Sequence, residues 1–394
     1  MKIQVGVIFG GRSVEHEISV ISAQQAMSAF DKNAYAITPI YITKTGKWYT
    51  GDALLNVDNY KNLDQLLAQS TEIYLSPSYG DFNLYPVKTG LFGKKDLGKI
   101  DVAFPVIHGT NGEDGTLQGL LELKGIPFVG CNVLSSAVGM DKIMMKMVLK
   151  ESGLPVVDYT WFTDRSWHTD QANIIAKIKE IGFPVIVKPS NLGSSVGVSK
   201  AADEAQLITA VELAGSFSSR ILVERMVQNL KEINCSVLGD ANEQTASVCE
   251  EPLGAGDILS YKDKYVNNAK GSGGSKGMTS TKRQIPANIP ADMSAKIQTL
   301  AKETFRVLDC SGVSRIDFLT DNQTGDVFVN EINTIPGSLS FYLWEATDKK
   351  FDRLLKDMID TAMKRQRERQ NLVMSYSENI FSMKTTGLSK MGKG

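Results

Sequence analysis

Three hard oxygen side chains, Asp317, Glu331 and Asn333, stand where two strands and the turn joining them can bring them together. Such a set suits Mg2+, which takes few protein ligands and fills its other positions from water and phosphate. Arg315, two residues before Asp317, falls on the same face of its strand. In Asn330-Glu331-Ile332-Asn333-Thr334-Ile335-Pro336-Gly337 the closing glycine lets a bare backbone N–H approach a reacting oxygen. Together these residues suit the transfer of a phosphoryl group and the stabilisation of charge that develops on it.

Other segments offer partners for that chemistry. Lys188-Pro189-Ser190-Asn191-Leu192-Gly193-Ser194-Ser195-Val196-Gly197 follows a strand and can lay successive N–H groups and the hydroxyls of Ser194 and Ser195 over phosphates. It lacks the Gly-Lys-Ser/Thr of a Walker A loop, and a plain glycine turn is its bland alternative. Lys142 and Lys188 are candidate cations for the same phosphates, although a lone lysine is usually a solvated one. Glu224-Arg225-Met226-Val227 ends a strand. Its backbone can pair with an adenine edge, Met226 and Val227 can line the ring, and Glu232 can accept ribose hydroxyls. An ordinary strand end with solvated acids has the same pattern.

Two further loops lie where open sheets bind ligands, at the carboxyl ends of strands. His108-Gly109-Thr110-Asn111-Gly112-Glu113-Asp114-Gly115-Thr116 precedes a helix, for which Thr116 or Asp114 can equally be a cap. Phe9-Gly10-Gly11-Arg12-Ser13-Val14-Glu15-His16-Glu17 lacks the third glycine of a dinucleotide loop, and its carboxylates, Glu15 and Glu17, instead suit a substrate ammonium group. No His/Cys cluster supports zinc.

The elements that must position these residues alternate. Strands are expected at 2–9, 37–41, 102–107, 184–188 and 221–224, and helices at 17–29, 116–123 and 141–151. This strand–helix alternation predicts an α/β protein with a mainly parallel sheet. A chain of 394 residues exceeds one ordinary core. Boundaries near 138 and 236 divide it into 1–137, 138–236 and 237–370, with 371–394 as a flexible tail and 270–277 as a flexible Gly/Ser/Lys stretch. A net charge of -1 gives no footprint for nucleic acid or an anionic membrane, and no apolar run approaches a membrane span. The chain opens directly into a strand, so a cytoplasmic enzyme is expected. Cys131, Cys235, Cys249 and Cys310 are spaced as buried reduced thiols rather than as metal ligands.

In this order the segments resemble the D-alanine–D-alanine ligase family of the ATP-grasp superfamily, from about residue 3 to about residue 345. The carriers are Gly-Gly-x-Ser-x-Glu-x-Glu at 10–17, His-Gly-x-x-Gly-Glu-Asp-Gly at 108–115, Lys-Pro-x-x-x-Gly-Ser-Ser-Val-Gly at 188–197, Arg-Ile-Asp, and Asn-Glu-Ile-Asn-Thr-x-Pro-Gly. The resemblance implies an ATP-grasp fold: an N-terminal parallel-sheet domain and two α+β subdomains sandwiching ATP. Lys142, Lys188 and Lys264 would contact ATP phosphates. Glu224 and Val227 would hold adenine through the backbone, and Glu232 the ribose. Asp317, Glu331 and Asn333 would hold two Mg2+ (or Mn2+) ions. Glu15 would pair with the ammonium of the first D-alanine, with His108 nearby. Arg315 and the Gly337 N–H would stabilise the acyl phosphate and the tetrahedral intermediate. Ser194 and Tyr265 look like the pair linking the phosphate loop to a lid at 254–278 and to Glu15. A homodimer is implied as well.

The implied activity is ATP-dependent formation of D-alanyl-D-alanine through D-alanyl phosphate. The alternatives are D-serine or D-lactate as acceptor, or a non-catalytic ATP-binding relative. The chain departs from the family in the lid, where Ile258-Leu259-Ser260 replace aromatics, and after Pro336-Gly337. There Ser338 or Ser340 is expected to grip the second carboxylate in place of the usual polar run. Tyr265 favours an amine over a hydroxy acid as the nucleophile.

Overall fold

The computed structural model describes residues 1–89, 96–193, 196–253 and 283–375. The first sheet contains β1 (Ile3–Gly10), β2 (Tyr35–Ile42), β3 (Trp48–Thr50), β4 (Thr71–Leu75), β5 (Leu84–Pro86) and β6 (Val102–Pro105), in the order β5-β4-β3-β2-β1-β6. β1 runs parallel to β2 and β6, with α1 (His16–Ala29) crossing between β1 and β2. Val5, Val7, Ile8 and Phe9 are all fully buried, as expected where a parallel strand is covered on both faces. The parallel part stops at β2. The turn to β3, closed by Thr43 N–H to the Lys47 carbonyl, is too short for a crossover, so β3 pairs antiparallel with β2, and β4 and β5 continue the sheet antiparallel beyond it.

After α2 (Leu63–Ala68) and β6 come α3 (Thr116–Lys124), α4 (Val133–Met140) and α5 (Lys142–Glu151). Asp141 separates the last two and accepts the N–H groups of Ile143 and Met144, a side-chain cap that restarts the helix and points Lys142 at the second sheet. That antiparallel sheet is β7 (Tyr159–Thr163), β8 (Val185–Pro189), β9 (Ser199–Ala201) and β10 (Arg220–Arg225), ordered β7-β10-β8-β9. Between its strands run α6 (Asp164–Thr169), α7 (Gln171–Ile181) and α8 (Glu204–Gly215). Ile178 and Val211 of these helices pack on Val185, Val187, Ile221 and Val223.

The third sheet, also antiparallel, is β11 (Leu230–Gly239), β12 (Gln244–Pro252), β13 (Arg283–Gln284), β14 (Gly312–Asp321) and β15 (Val327–Asn333), ordered β13-β12-β11-β14-β15. Period-two alternation settles its faces. Ile233, Cys235, Val237, Ile316, Phe318 and Val329 form a core with Ile297, Ala301 and Phe305 of α9 (Ala291–Val307). The alternate residues of β11 and β14, Glu232, Asn234, Arg315 and Asp317, therefore face the other way, and a bulge at Asn330, where the pairing steps from Phe318–Val329 to Asp317–Glu331, turns Glu331 to that face although Val329 is in the core. Past α10 (Phe341–Glu345), α11 (Phe351–Gln370) buries Leu354, Leu355 and Ile359 in one core with Val5, Phe9 and Val313, which ties the first sheet to the third.

Both positions read from the sequence as boundaries fall inside elements. Residue 138 lies in α4, and residue 236 lies in β11, which is bonded on both sides. The chain passes from the second sheet to the third between Arg225 and Leu230 instead. The four cysteines are buried free thiols.

Candidate active site

The open face of the third sheet carries two of the expected oxygen ligands, Asp317 and Glu331, in one row, with Asn333 beside it opposite Arg315. Glu331 is opposite Asp317, Asp317 is opposite Asn234, and Asn234 is opposite Glu250. Arg315 grips Asp317 with Nε 2.6 Å from Oδ1 and Nη2 2.7 Å from Oδ2. Asn333 Nδ2 donates to Asp317 Oδ2 at 3.0 Å. Lys142 Nζ lies 3.3 Å from Glu331 Oε2 and donates to the Leu192 carbonyl at 2.8 Å. Among the described residues no group of three or more His, Cys, Asp or Glu could hold a metal. Two carboxylates and one amide oxygen instead fit a hard cation that draws its other ligands from water and phosphate. The same cavity is lined by Glu15, His108, Gly109, Glu113, Lys142, Gly193, Glu232, Arg315, Asp317, Glu331, Asn333 and Gly337, and so it opens onto all three sheets.

The wall facing the first sheet is built by contacts between distant segments. His108 is fully buried. Its Nδ1 donates to the Ile335 carbonyl at 2.8 Å, and its Nε2 accepts from the Ser22 hydroxyl at 2.9 Å. Burial lowers its pKa, which keeps the ring neutral. The Ser338 N–H donates to the same Ser22 oxygen at 3.0 Å. Glu113 accepts the N–H groups of Gly109 and Ile335, each at 2.8 Å. Despite those bonds, burial and the nearby Glu15 push its pKa up to about 8. His108 and Glu113 thus clamp the chain around Pro336-Gly337. Neither Thr116 nor Asp114 caps α3: Gly115 holds the cap position with no side-chain bond, Thr116 is the first helical residue, and Asp114 accepts its N–H from one position before the cap. Glu15 sits between two glycines. A Cβ on Gly109 would stand 2.8 Å from Glu15 Oε2, and one on Gly193 3.3 Å.

At the second sheet, Glu224 is a buried acid rather than a solvated one at a strand end. Its Oε1 is 2.8 Å from Lys146 Nζ and its Oε2 2.6 Å from Lys188 Nζ. Burial opposes its charge, but the two lysines hold its pKa down at about 2. Its backbone lies inside the ladder, opposite Tyr159 and Ile186, and the strand ends only at Arg225. The next N–H, that of Met226, donates to the Pro184 carbonyl. Lys188 also donates to Asn330 Oδ1 at 3.1 Å, which joins β8 to the middle of β15. Val227 is buried.

Ser338 and Ser340 are not among the residues lining the cavity. They sit with Leu339 in a run of three left-handed residues, φ 53°, 52° and 51°, and both hydroxyls are buried without a hydrogen-bond partner. Ser194, Ser195, Lys264, Tyr265 and the expected lid at 254–278 lie outside the described residues.

Several residues of the site carry no local signal in the sequence. Ser22 and Lys146 read as ordinary helix positions. Asn234 could have been found by strand alternation from Glu232. Glu250, Arg283 and Tyr342 meet only in the folded chain, where Glu250 pairs with Arg283 and accepts from Asn234 and Tyr342.

Comparison with known proteins finds matches along most of the chain. Residues 4–131 match the family model described as D-ala D-ala ligase N-terminus, and residues 148–360 match D-ala D-ala ligase C-terminus. The chain is 40% identical to a D-alanine–D-alanine ligase of Thermosipho melanesiensis, over 97% of this chain and 99% of that one. Among solved structures, the D-alanine-D-alanine ligase from Coxiella burnetii superposes with a TM-score of 0.78 at 30% identity, covering 94% of this chain and 96% of the other. The VanG D-Ala:D-Ser ligase from Enterococcus faecalis gives 0.77 at 30% identity, covering 92% and 100%.

Proposed function

Because the chain belongs to the D-alanine–D-alanine ligase family, we propose that it joins two D-alanines to D-alanyl-D-alanine for peptidoglycan precursors while ATP is cleaved to ADP and phosphate. One observation carries this reading. A carboxylate suited to an ammonium group, Glu15, opens onto the same cavity as Arg315 and the oxygen set of Asp317, Glu331 and Asn333.

In the first step a carboxylate oxygen of the donor D-alanine attacks the γ-phosphorus. The new O–P bond gives D-alanyl phosphate as ADP leaves with the electrons of the broken bond. Glu15 holds the donor ammonium, with His108 fixing the wall beside it. Lys142, Lys188 and Lys264 neutralise phosphate charge, and the hydroxyls of Ser194 and Ser195 donate to phosphate oxygens. Glu224 and Val227 frame the adenine, and Glu232 takes the ribose hydroxyls. Asp317, Glu331 and Asn333 would hold two Mg2+ (or Mn2+) ions, which would supply charge neutralisation at the phosphates. In the second step the acceptor's neutral amine attacks the acyl carbon. Arg315 and the Gly337 N–H face the oxyanion, the acyl C–O bond breaks as phosphate departs with its electrons, and that phosphate takes the proton the amine gives up. By the family resemblance Ser194 and Tyr265 would be the pair joining the phosphate loop to the lid and to Glu15. This proposal takes the protein as a cytoplasmic homodimer. Among the described residues no helix is long and apolar enough to cross a membrane.

A second reading, with D-serine as acceptor, is favoured by the similarity to the D-Ala:D-Ser ligase and by the unusual run after Gly337. Phosphate release is to be measured with ATP, Mg2+ and D-alanine alone, then with D-serine or D-lactate added, and the products identified by mass. D-alanyl-D-alanine as the main product is expected. A preferred mixed product would select the second reading, and no D-alanine-dependent ADP would overturn both.

A further inference from the structure

Arg283 lies on β13, the outermost strand of the third sheet, and lines the same cavity as Arg315 and Asp317. It is built into its place. Nη1 is 3.2 Å from Glu250 Oε2, and the guanidinium carbon stands 4.0 Å over the Tyr342 ring. Glu250 is itself fixed, because its Oε1 accepts from Asn234 Nδ2 at 2.9 Å and from the Tyr342 hydroxyl at 3.1 Å. Burial, with Glu250 beside it, pushes the Tyr342 phenol up to about 12, so it remains a donor. A guanidinium has five N–H donors in a planar fork that matches a carboxylate.

Phosphoryl transfer gives this group no task. The acceptor, however, brings a carboxylate out of water, and a buried carboxylate needs a cation. Among the described residues lining the cavity the permanent cations are Lys142, Arg283 and Arg315. Each is paired with a carboxylate, Lys142 with Glu331, Arg315 with Asp317 and Arg283 with Glu250, but Lys142 and Arg315 stand at the oxygen set and the phosphate loop whereas Arg283 stands away from them. Glu250 stands two strand positions from Asp317, roughly 10 Å along the sheet, and Arg283 closes that end. The hydroxyls of Ser338 and Ser340 lie off the cavity lining, so the family's usual grip is missing from this wall.

We propose that Arg283 binds the carboxylate of the acceptor amino acid, with Glu250 and Tyr342 as positioning residues. The proposal rests on the ligase reading above. The test uses the full-length enzyme with ATP and Mg2+, in wild type, Arg283→Gln and Arg283→Lys. Dipeptide formation is compared with trapping of the donor acyl phosphate by hydroxylamine, which needs no acceptor. In Arg283→Gln the acceptor KM should rise tenfold or more while donor KM and hydroxamate formation change far less, and Arg283→Lys should recover part of the loss. Wild type should also reject D-alaninamide as acceptor more strongly than Arg283→Gln does. Equal losses in the dipeptide and hydroxamate reactions, or unaltered discrimination against the amide, would overturn the role. Absence of hydroxamate in wild type would instead overturn the ligase reading itself.

Discussion

The Ser22 hydroxyl lies 2.9 Å from His108 Nε2 and holds the neutral ring in the tautomer that donates to Ile335. The same oxygen accepts the Ser338 N–H, so one hydroxyl on α1 ties the His108 loop to the turn that carries Gly337. Ser22→Ala leaves a buried N–H and a buried ring nitrogen unpaired. The expected cost is about 1–3 kcal/mol of unfolding free energy, read by urea denaturation. Displacement of the Gly337 N–H should also lower kcat, on the order of tenfold or more. A variant with wild-type stability and turnover would show that this tie does not position the turn.

Glu113 sets a pH dependence of stability. Its pKa rises from 4.5 to about 8 on folding, chiefly through burial. The native state therefore holds a proton that the unfolded chain has lost between those values. This contribution is full below about pH 4.5 and is lost as pH rises through about 8, on the order of 5 kcal/mol in all. Glu113→Gln removes the titration but sets an NH2 against one of the two backbone donors, so it is less stable at acid pH. Its stability should change less than that of wild type between pH 5 and pH 8.5. Parallel profiles from chemical denaturation would exclude Glu113 as the source.

The opposite sign holds at Glu224. Lys146 and Lys188 overcome its burial and hold its pKa at about 2. Its contribution is present above about pH 4.5 and fades as pH falls toward 2, amounting to on the order of 3 kcal/mol. Glu224→Gln leaves two buried ammonium groups facing a neutral amide. Breaking such a group costs about 3–5 kcal/mol, and release of Lys188 should raise the ATP KM. Unfolding midpoints and ATP titration check the two effects separately. Unchanged values in both would mean that Lys146 and Lys188 do not depend on this carboxylate.

What the sequence makes legible follows the range of the contacts. Arg315 and Asp317 are two residues apart on one strand, so alternation alone puts them on one face, and their pairing at 2.6 Å follows. The join of Ser22 to Ser338 spans 316 residues and that of Glu113 to Ile335 spans 222. No periodicity reports such contacts. The antiparallel edge of the first sheet rests on strands of three to five residues, too short for a pattern to declare itself. Ser338, Leu339 and Ser340 take a left-handed turn that L-residues disfavour by roughly 1–2 kcal/mol each, so their types gave no warning that the hydroxyls would leave the cavity. Their place at the substrate end falls to Arg283, Glu250 and Tyr342, which come from three separate segments.

Gly109 and Gly193 together define the space around Glu15, and they differ in a way that can be measured. Gly109 has φ +74°, and a Cβ there would meet Ser13 Oγ at 2.6 Å and Glu15 Oε2 at 2.8 Å. Gly109→Ala must therefore strain the backbone and push Glu15 aside. At Gly193 the Cβ would lie 3.3 Å from Glu15 Oε2, a contact that a shift of a few tenths of an ångström relieves. If Glu15 holds the donor ammonium, Gly109→Ala should raise the donor KM by a factor of ten or more with ATP binding kept. Gly193→Ala should raise it only a few-fold. Hydroxylamine trapping at varied D-alanine reads donor binding without the acceptor, and nucleotide titration reads ATP. Equal effects of the two variants, or a loss confined to ATP binding, would remove Glu15 from the donor site.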